Sequence, residues 1–83
     1  MYTVYVLKSD INGRYYIGHT EDLEMRLKRH NDGEVRSTKR YRPWKVICSE
    51  IYATRSDARR RELEIKKYKG GIKFKILIGI FSG

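Results

Sequence analysis

The stretch "YTVYVLKSDINGRYYIGHT", Tyr2 to Thr20, decides the fold. Tyr2–Leu7 is rich in β-branched and aromatic residues, the composition of a strand. "KSDING" follows and ends in Asn-Gly, a strong turn signal. Arg14–Thr20 returns as a second strand, so residues 2–20 make a β-hairpin. Gly18 is out of place in that return strand. A glycine there weakens the strand and often marks a spot where something approaches the backbone closely.

Outward from the hairpin, Glu21 and Asp22 place acid at a helix N-terminus, with Thr20 as N-cap. Leu23 and Leu27 form an i, i+4 stripe, and "HNDG" around Gly33 ends the helix. Residues 34–43, "EVRSTKRYRP", are a polar, basic loop without periodicity. Trp44–Tyr52, "WKVICSEIY", reads as a third strand. Thr54 with Asp57 three residues on is a capping-box variant, opening a helix that runs to about Tyr68 and stops at Gly70-Gly71. The tail "IKFKILIGIF", Ile72–Phe81, alternates Lys with apolar residues and fits a strand or a short amphipathic helix equally well. The order β-β-α-β-α predicts a single α+β domain over residues 1–83, an antiparallel sheet covered by helices.

Nineteen Lys and Arg against ten Asp and Glu leave a net charge of +9 on 83 residues. Such a field attracts phosphate polyanions and releases their counterions. The cations are spread along the chain, and no long helix sets an apolar face against a basic one, so nucleic acid is expected rather than a membrane. A lone cysteine, Cys48, excludes a disulfide framework and a Cys-rich zinc site. The N-terminal apolar run is too short for a signal peptide or a membrane span, and a soluble cytoplasmic protein is the expectation.

Against this background a few side chains stand out. At about 100° per residue, Ala58, Glu62 and Ile65 share one face of the second helix, which puts a carboxylate inside the apolar stripe. Glu62 is then either the partner of a nearby Arg at the core's edge or a hard oxygen ligand for Mg²⁺. Glu64 points away, with Arg60 and Tyr68 one turn to either side, and reads as a solvated salt-bridge partner. On the first helix Arg26 and His30 lie together at i, i+4. They are either a basic helix edge or a phosphate-facing pair, a planar donor fork beside a group that can move a proton. Tyr5, Tyr15 and Tyr16 all fall in the hairpin. Most strand tyrosines are packing residues, and one acts as a base only beside positive charge or a metal-bound water.

These residues together resemble the GIY-YIG nuclease domain, in its small stand-alone form, over residues 2–69. The first half-motif stands as Thr3-Val4-Tyr5 and the second as Tyr16-Ile17-Gly18, with ten residues between the two tyrosines. Arg26 falls at the family's helical arginine, His30 one turn on, and Glu62 in "ARRRELEIKK" at the family's metal-binding glutamate. "TKRYRPWKVICSEIY" is similar to the loop and third strand of small members. Thr3-Val4 replaces Gly-Ile, and His19 stands where some members have lysine.

The resemblance implies a three-stranded antiparallel sheet flanked by helices, with Tyr5, Tyr16, Arg26, His30 and Glu62 gathered on one face. It implies hydrolysis of DNA phosphodiesters with a single Mg²⁺ or Mn²⁺ on Glu62 as Lewis acid. Tyr5 or Tyr16 would be the general base, Arg26 would stabilise charge at phosphorus, and His30 would position tyrosine or phosphate. Gly18, His19, Lys39 and Arg40 are further candidate nucleic-acid contacts, with Gly18 leaving room for a phosphate or a metal-bound water. The expected enzyme selects DNA structure rather than sequence, in repair or recombination, because so small a domain has no extended base-reading element. A protein partner supplying specificity, or a non-cleaving basic binding module on the same scaffold, are the alternatives.

Overall fold

The hairpin forms as its sequence predicts. In the computed structural model, which describes the backbone of residues 1–82 and the side chains of residues 1–79, strands β1 (Tyr2–Ser9) and β2 (Tyr15–Thr20) pair antiparallel. Gly13 takes φ 72°, and the buried Ser9 hydroxyl accepts from Ile11 and Asn12 amides, which fixes the turn from inside. Helix α1 (Leu23–Asn31) follows, then a 3₁₀ turn (Lys39–Tyr41) within the basic loop, strand β3 (Trp44–Tyr52), and helices α2 (Arg55–Tyr68) and α3 (Ile72–Ser82). The sheet order is β2-β1-β3 with both pairings antiparallel, so the hairpin's first strand is central.

Strand alternation sorts the hairpin into two faces. Tyr5 pairs with Gly18 and Leu7 with Tyr16 on the α1 side, whereas Val4 pairs with His19 and Val6 with Ile17 on the α2/α3 side. The third strand serves both faces through a bulge at Ile47: Val6 pairs with Cys48 but Leu7 with Val46. Cys48 therefore joins Val4, Ala58 and Ile65 in one apolar cluster, while Trp44 and Val46 join Tyr5 and Leu7 in the other. A regular strand would have left Cys48, Val46 and Trp44 all on one side.

Two local expectations change. Thr20 stays paired with Thr3 in the sheet, so Asp22 is the N-cap of α1, its carboxylate accepting from Met25 N at 3.1 Å. Thr20 instead braces the strand-to-helix turn through the Asp22 backbone. The tail resolves as helix because Phe74 and Leu77, one turn apart, are both buried against the Val4–Ile65 cluster. At Thr54 the cap is as expected, accepting from Asp57 N at 3.1 Å. Helix α2 ends with Lys69 and Gly70 both at positive φ. Among the described residues no helix is long and apolar enough to cross a membrane.

Candidate active site

Helix α1 lays Leu23 and Leu27 on the Tyr5–Trp44 cluster, and that contact carries its i, i+4 neighbours, Arg26 and His30, over the two tyrosines. The Tyr5 and Tyr16 rings lie 6.3 Å apart, and the His30 ring is 4.8 Å from Tyr16, edge to face. His30 is fully buried, with Nε2 3.2 Å from the Tyr5 hydroxyl and Nδ1 2.7 Å from Thr38 Oγ1. Burial, helped by repulsion from Arg26, pushes the His30 pKa down to about 4, so the ring is neutral at neutral pH. The Arg26 guanidinium meets the Tyr5 phenol and, less strongly, that of Tyr16, which raises the Arg26 pKa against the cost of burial. For Tyr5 the balance reverses. Burial raises its pKa by more than Arg26 lowers it, and the resting group is a phenol.

Gly18 stands where a side chain would not fit. A Cβ there would meet the Tyr5 hydroxyl at 2.8 Å and the Tyr16 ring at 3.2 Å. The glycine makes room for the tyrosine opposite it.

Glu62 does not stem from the same face. Helix α2 packs Ala58 and Ile65 on the Val4–Val6 side, and Glu62 reaches the rim of β2 by pairing with His19 Nδ1. Lys66 Nζ holds the other carboxylate oxygen at 2.6 Å. Burial works against this charge, but Lys66 and His19 outweigh it and lower the Glu62 pKa. Its negative charge is still felt across the strand, where it helps raise the Tyr5 pKa. Glu64 takes Arg61 and the Tyr68 hydroxyl as partners, while Arg60 turns to Asp57.

Next to Arg26 opens a cleft of about 380 Å³ lined by His19, Arg26, Arg29 and Arg55, with Glu21 and Asp22 also on its wall. The buried Nε of Arg26 has no hydrogen-bond partner among the described residues. An unsatisfied donor on a fixed cation in a basic cleft is suited to an oxyanion. Lys39 and Arg40 are exposed on the 3₁₀ turn and do not line this cleft. Arg29 was legible as the residue one turn beyond Arg26, whereas nothing in the sequence distinguishes Arg55 or Thr38 from their neighbours.

No group of three or more His, Cys, Asp or Glu side chains among the described residues is placed to hold a metal. A single hard carboxylate fits a Mg²⁺ or Mn²⁺ ion whose shell is completed by water and substrate phosphate, and does not fit a closed transition-metal site.

Comparison with known proteins gives the family and the fold. Residues 1–74 match the GIY-YIG catalytic domain. A UPF0213 protein of Staphylococcus epidermidis is 37% identical over 75 residues, covering 89% of this chain and 90% of the relative. A UPF0213 protein of Staphylococcus aureus is 36% identical over the same coverage. The solution NMR structure of a UPF0213 protein from Bacillus halodurans superposes with a TM-score of 0.62 at 27% identity, covering 100% of this chain and 88% of that one. The chain belongs to the GIY-YIG family, a family of endonuclease domains.

Proposed function

Taking that membership as premise, we propose that the protein is a divalent-metal-dependent endonuclease that hydrolyses DNA phosphodiesters, selecting DNA structure rather than sequence. One observation carries this reading: the buried Tyr5–His30 hydrogen bond lies under Arg26, whose Nε has no partner, at the wall of a basic cleft. Tyr5 is the general base. It can take the proton of an attacking water as its own passes to His30 Nε2. The imidazolium so formed is opposed by Arg26 in the free protein, and a phosphate docked on Arg26 relieves that repulsion. Arg26 then offers fixed positive charge where negative charge accumulates at phosphorus. Tyr16, half-buried beside His30, packs the pair. Glu62 would hold the metal, which when bound supplies Lewis-acid stabilisation to the phosphate and the leaving oxygen. Arg29 and Arg55 bind the phosphate chain on either side, a contact that positions without reading bases.

The test is cleavage of supercoiled, linear and branched DNA by the purified protein, with and without Mg²⁺. Metal-dependent nicking lost in Glu62→Gln is the expected result; no cleavage of any substrate, or cleavage undiminished in that variant, overturns it. The pairing of Glu62 with both His19 and Lys66 favours a second reading, a non-cleaving DNA-binding module. Its signature is salt-sensitive binding that ignores Mg²⁺ and the Glu62→Gln change.

A further inference from the structure

Thr38 is a fully buried polar residue in a loop that otherwise faces solvent, and the chemistry described so far makes no use of it. Its backbone already closes the loop: the amide donates to Val35 O, and the carbonyl accepts from the Trp44 indole at 2.8 Å. The hydroxyl is thus not needed to hold the chain in place. It sits 2.7 Å from His30 Nδ1, and its other hydrogen-bond partner is Val35 O at 3.3 Å. A carbonyl can only accept, so the hydroxyl proton points to Val35 O, sharing it with the Thr38 and Lys39 amides, and the oxygen is free to accept from Nδ1–H.

The far side of the ring gives the same answer independently. The Tyr5 hydroxyl lies 3.2 Å from His30 Nε2 and interacts with the Arg26 guanidinium, which can only donate. If Nε2 carried the proton, a buried phenol O–H would face donors from both directions. With the proton on Nδ1, each donor has an acceptor along the whole chain: Tyr5 O–H to Nε2, Nδ1–H to Thr38, Thr38 O–H to Val35 O.

We propose that Thr38 is a positioning residue: its hydroxyl accepts the Nδ1 proton of His30 and so keeps Nε2 free to accept the proton of Tyr5. This rests on the reading of Tyr5 as general base. The second ring nitrogen's partner sets which nitrogen is protonated, a requirement for any histidine that must take a proton at one defined atom. Only the proton's starting position is set by Thr38. Neither the substrate nor the metal touches it.

The experiment uses the full chain and has two readouts. Imidazole nitrogen NMR at neutral pH, without DNA or metal, shows the wild-type His30 protonated on Nδ1. Thr38→Val, of equal shape, shifts the proton towards Nε2, and Thr38→Ser restores it to Nδ1. In Mg²⁺-dependent cleavage, Thr38→Val lowers kcat by about a hundredfold while KM stays within about twofold, and Thr38→Ser recovers most of the rate. A wild-type spectrum with the proton on Nε2 overturns the proposal, as does a valine variant that keeps it on Nδ1. A serine variant as slow as the valine overturns it too. Should the valine variant fail to fold, the wild-type and serine spectra still decide. If wild-type protein cleaves nothing, the nuclease reading fails, and the spectra separately settle the tautomer.

Discussion

On the α2/α3 side of the sheet, Val4, Val6, Cys48, Ala58 and Ile65 are buried among one another with no polar side chain of their own beyond a thiol. The α1 side buries Tyr5, His30, Thr38 and Trp44, each of which carries a polar atom with a partner, beside Leu7. One strand, β1, feeds both through alternate residues. The first face supplies hydrophobic stabilisation, which is non-directional and tolerates any well-packed apolar set. The second supplies directed hydrogen bonds, which lose their value if one member is removed and its partner left buried. A small domain that keeps the two apart can hold a polar site without opening its apolar core.

That division is open to attack from each side. The largest expected effect is on the apolar face. Leu77→Ala, on α3 and away from the helix that carries Glu62, should cost about 2–5 kcal/mol in urea denaturation, with cleavage per folded molecule unchanged; a change in cleavage would show that the faces are not separable.

The next effect is carried by His30 on the polar face. Its pKa falls from 6.5 unfolded to about 4 folded. Between those values the unfolded chain binds a proton that the folded chain refuses, so stability drops as pH falls from 6.5 to about 4, by roughly 3 kcal/mol. Glu50 and Glu62 add a second loss further down. Their folded pKa values are lowered, for Glu50 mainly by Arg61 and for Glu62 by Lys66 and His19 against burial, so their stabilisation disappears as pH falls below the ordinary carboxylate range. Denaturation across pH should show the upper limb vanish in His30→Gln and the lower limb remain. A flat wild-type curve between pH 6.5 and 4 would remove the basis for a neutral buried His30.

Arg26→Ala should lower single-turnover cleavage by about a hundredfold, equivalent to roughly 2.7 kcal/mol. Its thermal midpoint should barely move, because the buried Nε has no hydrogen bond to lose. The smallest effect concerns the helix that carries the site: Asp22→Ala should cost about 1 kcal/mol, and Thr20→Ala less than that, measured by chemical denaturation. The reverse order would return the N-cap to Thr20.

The strands, the helices and their order were legible because each depends on short-range signals: Asn-Gly at the turn, β-branched runs, Thr54 before its helix. The tail was not, since Ile72–Phe81 fits two periods and only the burial of Phe74 and Leu77 selects one. Among the site candidates, Arg26 and His30 follow from the Leu23/Leu27 stripe by helical geometry, and Glu62 was visible as a carboxylate in an apolar stripe. Gly18 was visible as an anomaly, but its cause was not, because the Tyr5 phenol that fills its space comes from the neighbouring strand. Glu62 and Tyr5 were expected on one face and instead lie on opposite faces of the sheet, Glu62 reaching β2 through His19.

The sequence by itself determined the hairpin, the helical spacing that joins Arg26 to His30, and a net charge suited to a polyanion. Only the tertiary structure decided that Ile47 bulges, turning Trp44 towards the site, and that Thr38 reaches His30. Periodicity specifies which residues of one element share a face. Which atom of a distant loop meets that face depends on register and on loop closure, and neither leaves a local mark in the chain.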